Sequence, residues 1–267
     1  MTFLKFEILV VLFVLATYLL GIILVYVNVR LPARYNFQVL STEEMAQITP
    51  PAFRNFVNAI HSLGFDLVAH LRSVNGSTGN TTTLTLLYNR AALDLALVCE
   101  IKIAQMSATV KSLCYAEFVT VFEDGREVCT NNSTAGSSFV PNPQKPIYKL
   151  PEVNDLESLY AIHTGLASNV NAARKSLPPQ DQEIISLEED IVRPMERQAS
   201  MGYLWLDESS QMYRPTVKGA VIMTAQSLWP LSMIRKQRAA AQSRRIRKDF
   251  QPANVQTSSS FKPQRSS

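Results

Sequence analysis

The sequence predicts an α+β protein with an N-terminal transmembrane helix, an antiparallel sheet of about five strands flanked by helices, and a helical C-terminal region with a small hairpin. Residues 8–29 carry no charge, residues 66–122 are rich in β-branched and aromatic side chains, and apolar residues recur at helical spacing on either side. The predicted divisions are an anchor (1–30), an α+β domain (31–171), a helix–hairpin–helix region with a basic end (172–249) and a disordered tail (250–267).

The apolar segment 8–29 has the length of a membrane span. A helix of this length extends about 33 Å, and the hydrocarbon core of a bilayer is about 30 Å thick. Tyr18 lies in the middle of the segment, where its hydroxyl needs a partner, and Gly21 has no second small residue for a GxxxG helix pair. The alternative, a cleaved signal peptide, needs a shorter apolar run and a better cleavage site than VNVRLPA. We therefore predict a single-pass anchor.

The orientation of this anchor is poorly determined, because the basic residues Lys5, Arg30 and Arg34 are nearly balanced across it. The basic tail and the odd number of cysteines favour a cytoplasmic C-terminal domain. Four N-x-S/T sequences, which begin at Asn75, Asn80, Asn131 and Asn132, favour the opposite orientation in a eukaryotic protein.

The first part of the domain is predicted to be helical. Residues 31–40 are interpreted as a link, and Ser41 with Glu44 forms a capping box. After Pro50 and Pro51, an apolar stripe indicates a second helix that ends at Gly64.

Four strands are predicted at residues 66–74, 81–88, 95–104 and 112–122. Asp124-Gly125 suits a two-residue type I′ turn, which would pair Val121 with Val128. Residues 146–150 are predicted to add an edge strand, because Pro146 and the adjoining Pro151 lie outside a ladder.

The rest of the chain alternates between helices and loops. A capping box at residues 154–157 starts a helix, and residues 180–201 form an acidic helix that is kinked or broken at Pro194. A small hairpin follows, and then a long helix with a kink at Pro230 runs into the basic segment.

Composition limits the chemistry that the chain can carry. The net charge of +4 is concentrated in the tail, since seven Lys or Arg lie between residues 235 and 248. Cys99, Cys114 and Cys129 lack metal-binding spacing, so we expect no metal site and no cofactor, and we interpret them as small buried hydrophobic residues. One disulfide with a free thiol is the alternative.

Three titratable residues are weak catalytic candidates. Glu117 lies among apolar neighbours, where a carboxylate can acquire a raised pKa, and could act with His70 or His163. The alternatives are a solvent-facing glutamate and a buried neutral imidazole in the middle of an apolar helix face. No GxSxG, HExxH, P-loop or GxGxxG motif is present.

The strongest local prediction is a membrane-surface contact by the end of the chain. An apolar segment with Trp229 precedes seven cations, which would lie beside an anionic leaflet. These are Arg235, Lys236, Arg238, Arg244, Arg245, Arg247 and Lys248. The alternative is that the apolar part packs on the domain while the basic part is solvated.

The segments EFVTVFEDGREVCTNNS, IYKLPEVNDLESLYAIHTG and YRPTVKGAVIMTAQSLWP resemble those of uncharacterised bacterial membrane-anchored proteins. The resemblance covers most of the chain after the anchor and implies a bacterial source, but it carries no catalytic residues because no activity is assigned to that group.

Taken together, these observations predict a membrane-tethered binding or scaffold module. Its partners would be the lipid bilayer, anionic headgroups and an unknown protein that binds the sheet edges or the loop after Asn132. A membrane-bound enzyme and a winged-helix-like regulator are the alternatives. The helix before the hairpin is acidic, so we expect no nucleic-acid partner.

Overall fold

The computed structural model describes residues 2–74, 80–103 and 111–250, and the predicted disordered tail lies almost entirely outside these ranges. Helix α1 (Thr2–Asn28) contains a stretch, Phe6–Asn28, that is long and apolar enough to cross a membrane. Most of its residues are exposed, but the half-buried ones include Val14, Tyr18, Gly21 and Val25. These four form one seam along the helix, because they are three or four residues apart.

The α+β class is confirmed, and the main sheet is larger than predicted. It contains seven strands in the order β2-β3-β4-β5-β6-β7-β8, of which β7 and β8 are parallel and the other neighbours antiparallel. The strands are β2 (Phe37–Leu40), β3 (Asp66–Ser73), β4 (Asn80–Asn89), β5 (Asp94–Ile103), β6 (Lys111–Val121), β7 (Glu127–Asn131) and β8 (Ile147–Lys149). The last of these is an edge strand, as predicted, and Pro146 and Pro151 lie outside it.

The β6–β7 hairpin has a different turn from the predicted one. Val121 pairs with Glu127 and Thr120 pairs with Val128, so the predicted register was wrong by one residue. The amide of Gly125 donates to the carbonyl of Phe122, and Gly125 is the only residue of the turn with positive φ. Such a loop is a type I turn followed by a left-handed glycine, which inserts one residue more than a type I′ turn.

The predicted link at residues 31–40 is a structural part of both sheets. Its end forms edge strand β2, and its start forms β1 (Leu31–Pro32), which pairs with β10 of a second sheet. No sequence pattern indicates these strands, because both are very short and β1 contains a proline.

One face of the main sheet is covered by α2 (Thr42–Ile48), α3 (Pro51–Ser62) and α4 (Leu156–Ser168). The capping box at Ser41 is confirmed, and Gly64 ends α3 with a φ of +86°. Helix α4 begins one residue later than predicted, because the side chain of Asp155 rather than Asn154 accepts from the amide of Ser158. Phe53, Ile60, Phe118 and Leu159 form the centre of the core between these helices and the sheet.

The opposite face of the sheet is covered by α5 (Glu183–Ser200), which continues past Pro194 without a break. Leu187 packs against Leu84, Leu86 and Cys99 there. The residues on both sides of the predicted boundary at 171 therefore share one core.

A three-stranded sheet in the order β1-β10-β9 follows α5 and includes the predicted hairpin, formed by β9 (Leu204–Asp207) and β10 (Met212–Pro215). Helices α6 (Val217–Ser227) and α7 (Leu231–Phe250) are separated at the predicted position, around Pro230. Helix α6 packs along α1, and the end of α7 returns to the main core, where Ile246 is buried.

Candidate functional site

The predicted residue His163 lies in a closed network of buried polar side chains. The Thr120 hydroxyl donates to Asp94 (Oγ1–Oδ1 2.5 Å) and accepts from Nε2 of His163 (2.9 Å). The other ring nitrogen, Nδ1, accepts from the Thr130 hydroxyl at 3.1 Å. A hydroxyl has only one proton, so the donation from Thr120 to the carboxylate requires the neutral tautomer that is protonated at Nε2.

Two further side chains bind the Asp94 carboxylate, one by a hydrogen bond and one by an ion pair. Tyr160 donates its hydroxyl to Oδ2 at 2.9 Å, and Arg174 pairs with Oδ1 at 2.6 Å. Asp94, Thr120 and His163 are each 0% exposed. The network therefore connects α4 and residue 174 to strands β5, β6 and β7. Because the His163 imidazole is fully buried, a substrate cannot reach it.

The pKa of His163 gives this network a pH dependence. Burial lowers that pKa to about 4, and Asp94 only partly opposes the effect. Between pH 6.5 and 4 the unfolded chain binds a proton that the folded chain does not. The free energy of unfolding is therefore unaffected by His163 above about pH 6.5. As the pH falls below this value, protonation of the unfolded chain lowers it by up to about 3 kcal/mol.

We expect His163→Gln to remove most of this pH dependence, as measured by urea unfolding of the full chain in detergent micelles between pH 7 and 4. The control is His61→Gln, since His61 lies on the exposed side of α3. A slope for His163→Gln equal to that of the wild type would show that the ring has the same pKa in the folded and the unfolded chain.

The three weak catalytic candidates are not brought together. Glu117 points to the α5 side of β6, because its neighbours Ala116 and Phe118 face the core under α4. It accepts a hydrogen bond from Asn131 (Nδ2–Oε2 2.7 Å). His163 lies under α4, so the two side chains are on opposite faces of the sheet.

His70 is separated from both. Its Nδ1 is 2.8 Å from the Thr85 hydroxyl, and burial lowers its pKa. It lies on β3, three strands from β6. That separation is about 14 Å at the usual strand spacing, which is beyond hydrogen-bond reach even through one water.

The three cysteines carry free thiols, and Cys99 and Cys129 are buried as predicted, whereas Cys114 is only half-buried. Cys99 and Cys129 are buried in the sheet, and burial raises the pKa of the Cys114 thiol to about 11. A thiol with a raised pKa is a poor nucleophile near neutral pH. No group of three metal-ligating side chains occurs among the residues that the structure describes.

The residues predicted to contact a membrane are divided between two environments. Trp229 lies between α6 and α7, is 63% exposed, and its carbonyl accepts from the Tyr18 hydroxyl of α1 at 2.8 Å. At the other end of α7, Arg247 pairs with Glu152 of the domain at 2.8 Å. The basic end of α7 thus packs on the domain, where the alternative expected it to be solvated. The apolar part around Trp229 is exposed, where the alternative expected it to pack.

The remaining cations of α7 are largely in solvent. Lys236, Arg238, Arg244 and Lys248 are exposed and form no ion pair within the described part of the chain. Arg245 has only a weak contact with Asp249 at 4.0 Å, and Arg235 is turned toward the loop after β7. The exposed group keeps its charge available to an anionic partner.

A cleft that no sequence pattern predicted lies beside this helix, and we call it the serine cleft. It has a volume of ≈ 780 Å³ and lies between the loop 133–138, Lys149 at the end of β8, and the adjoining faces of α6 and α7. The run of hydroxyl residues in that loop was a visible signal, but nothing in the sequence placed it against a helix about a hundred residues away.

Comparisons with known family models, with curated proteins and with solved structures give no match. The resemblance seen in the sequence therefore gains no support from them, and the functional argument depends on the geometry.

Proposed function

We propose that this protein is a single-pass, membrane-tethered binding module whose corner between α6 and α7 contacts the bilayer that α1 spans, with the C-terminal domain in the cytoplasm. The corner comprises residues 228–234. The observation that carries the proposal is the hydrogen bond from Tyr18 to the Trp229 carbonyl, because it connects the corner to the middle of the apolar segment of α1.

Packing between α1 and α6 supports the same arrangement. A Cβ built on Gly21 would lie 2.8 Å from the Thr224 side chain, so the two helices approach closely where α1 lacks a side chain. Small residues permit such close packing between helices in membranes. Tyr18 lies about 15 Å along the helix axis from Asn28. The corner therefore lies beside the apolar segment rather than beyond its end.

The surface of the corner is suited to lipid. Trp229, Leu231, Met233 and Ile234 are all exposed large hydrophobic residues and lie close together in the sequence. Exposed apolar patches of this kind mark interaction surfaces. The cations that begin at Arg235 follow directly, and each contributes about 1 kcal/mol at an anionic leaflet.

Depth-dependent quenching of Trp229 fluorescence tests the proposal. The chain has two tryptophans, so Trp205→Phe leaves Trp229 as the only one. We expect strong quenching by lipids brominated on the acyl chains when the full chain is reconstituted in liposomes. The full chain is the appropriate sample, because removal of α1 would expose the face of α6 that packs against it. An emission spectrum typical of water, with no quenching, would contradict the proposal.

A variant pair tests the packing that positions the corner. We expect Gly21→Leu to separate α6 from α1 and to change the quenching profile of Trp229, since the added side chain would collide with Thr224 and Leu228. The matched control is Ala16→Leu, which introduces the same side chain on an exposed part of α1. Equal profiles for the two variants would show that the α1–α6 contact does not position Trp229.

A further inference from the structure

The serine cleft has the position and lining of an anion-binding site. Its walls are the loop after β7, the end of β8 and the start of α7, and of its lining residues Ser227 directly precedes the corner and Ser232 lies within it. An occupant of the cleft would therefore lie close to the surface from which the corner enters the bilayer.

Three cations line the cleft, and two of them, Lys149 and Arg235, are half-buried without a neutralising carboxylate in the described part of the chain, while Lys236 is exposed. Lys149 donates to the carbonyl of Ala135. Arg235 donates to the carbonyl of Ser137 (3.1 Å) and to the amide oxygen of Gln226 (3.0 Å). Within the described residues neither cation pairs with a carboxylate within 4.0 Å.

The electrostatic balance of the cleft is positive. Burial lowers the pKa of Lys149, and Arg235 lowers it further, while Glu117 partly offsets both effects. The carboxylate of the lining, Glu152, is already paired with Arg247. An anion between Lys149 and Arg235 would relieve the repulsion between them.

Hydroxyl groups supply the remaining polar atoms. The oxygens of Ser133 and Ser137 accept backbone amides, from Ala135 (3.1 Å) and Phe139 (3.3 Å). Each of these serines therefore keeps its proton for another acceptor. The Ser243 side chain also lines the cleft, is 2% exposed, and has no hydrogen-bond partner within the described residues. A buried hydroxyl without a partner costs stability unless a ligand or water satisfies it.

We propose that the serine cleft binds a phosphate group, which is either the headgroup of an anionic lipid or a free phosphate ester. A phosphate carries up to two negative charges and several strong acceptor oxygens, which match two cations and a set of hydroxyl donors. The lipid source rests on the proposed membrane contact, because only a corner at the bilayer brings the cleft to the headgroups. A free phosphate ester does not require that contact.

Calorimetric titration of the full chain in phosphatidylcholine nanodiscs tests this binding, with inorganic phosphate and glycerol 3-phosphate as soluble probes. A second arm uses nanodiscs that contain phosphatidic acid and detects retained lipid by native mass spectrometry. We expect saturable binding in at least one arm. Binding of both soluble probes would identify the ligand as a free phosphate ester, whereas binding of phosphatidic acid alone would identify it as a lipid headgroup.

The variants Lys149→Met and Arg235→Gln should each weaken binding at least about tenfold, the loss expected for one charge-assisted hydrogen bond. The control Arg238→Gln removes a charge from the same helix outside the cleft and should change binding less than about twofold. Ser137→Ala removes one donor without removing charge, so it tests the cleft even if the charged variants fold poorly.

Equal effects of Lys149→Met and Arg238→Gln, or no binding of any probe at millimolar concentration, would overturn the proposal. Its failure is distinguishable from failure of the membrane contact. Phosphate binding together with a water-exposed Trp229 would support the phosphate site and contradict the membrane contact. A quenched Trp229 without phosphate binding would support the membrane contact and contradict the phosphate site.

Discussion

Replacement of Arg174 with methionine is expected to lower the free energy of unfolding by about 3–5 kcal/mol, the cost of leaving a buried charge without its partner. Asp94 is 0% exposed, and its only cationic partner in the described chain is Arg174, at 2.6 Å. Urea unfolding of the full chain in detergent micelles, followed by circular dichroism, measures the change.

The control for this variant is Arg126→Met. Arg126 pairs with Asp124 at the same distance, 2.6 Å, but both side chains are more than 40% exposed. Exposed pairs contribute at most about 1 kcal/mol. The added substitution Asp94→Asn should restore part of the stability of Arg174→Met, since it removes the buried charge. Equal destabilisation by the two arginine variants would show that burial of Asp94 does not decide the effect.

Gly219→Ala is expected to destabilise the fold by about 3 kcal/mol or more, at the upper end of the usual cost of overpacking. A Cβ on this residue would lie 1.9 Å from the carbonyl oxygen of Tyr203, which is a backbone atom and cannot rotate away. That carbonyl also accepts from the amide of Thr216 at 3.0 Å. The start of α6 would therefore have to move away from the chain that enters β9.

Gly136→Ala is the matched control, because a Cβ on Gly136 meets no atom within 4 Å. We expect it to change the unfolding free energy by less than about 0.5 kcal/mol. A second readout is hydrogen exchange of the amides in α6, which should accelerate in Gly219→Ala alone. Unchanged exchange there would show that α6 absorbs the added methyl group without moving.

The candidate site was only partly predictable, and the exposure of particular residues shows why. Trp229 and the cations after it stood out, because an apolar segment next to a basic one is a local pattern. The environment of each cation could not be predicted, because it depends on residues distant in the sequence. Arg235 bonds to the loop after β7, Arg247 pairs with Glu152, and Lys236 remains exposed. No sequence pattern indicated a role for Lys149 or Ser243, because the two residues line the same cleft only in the folded chain.

By itself the sequence determined the elements whose cause is local. The apolar run of α1, the alternation of residues in β3 to β6, the capping box at Ser41 and the glycine stop at residue 64 each follow from neighbouring side chains. The tertiary structure decided which surfaces meet. It recruited the link 31–40 into two sheets, placed Glu117 and His163 on opposite faces, and brought α6 against α1. Those contacts join residues far apart in the chain, so their free energy depends on complementary shape and burial, which no short sequence pattern specifies.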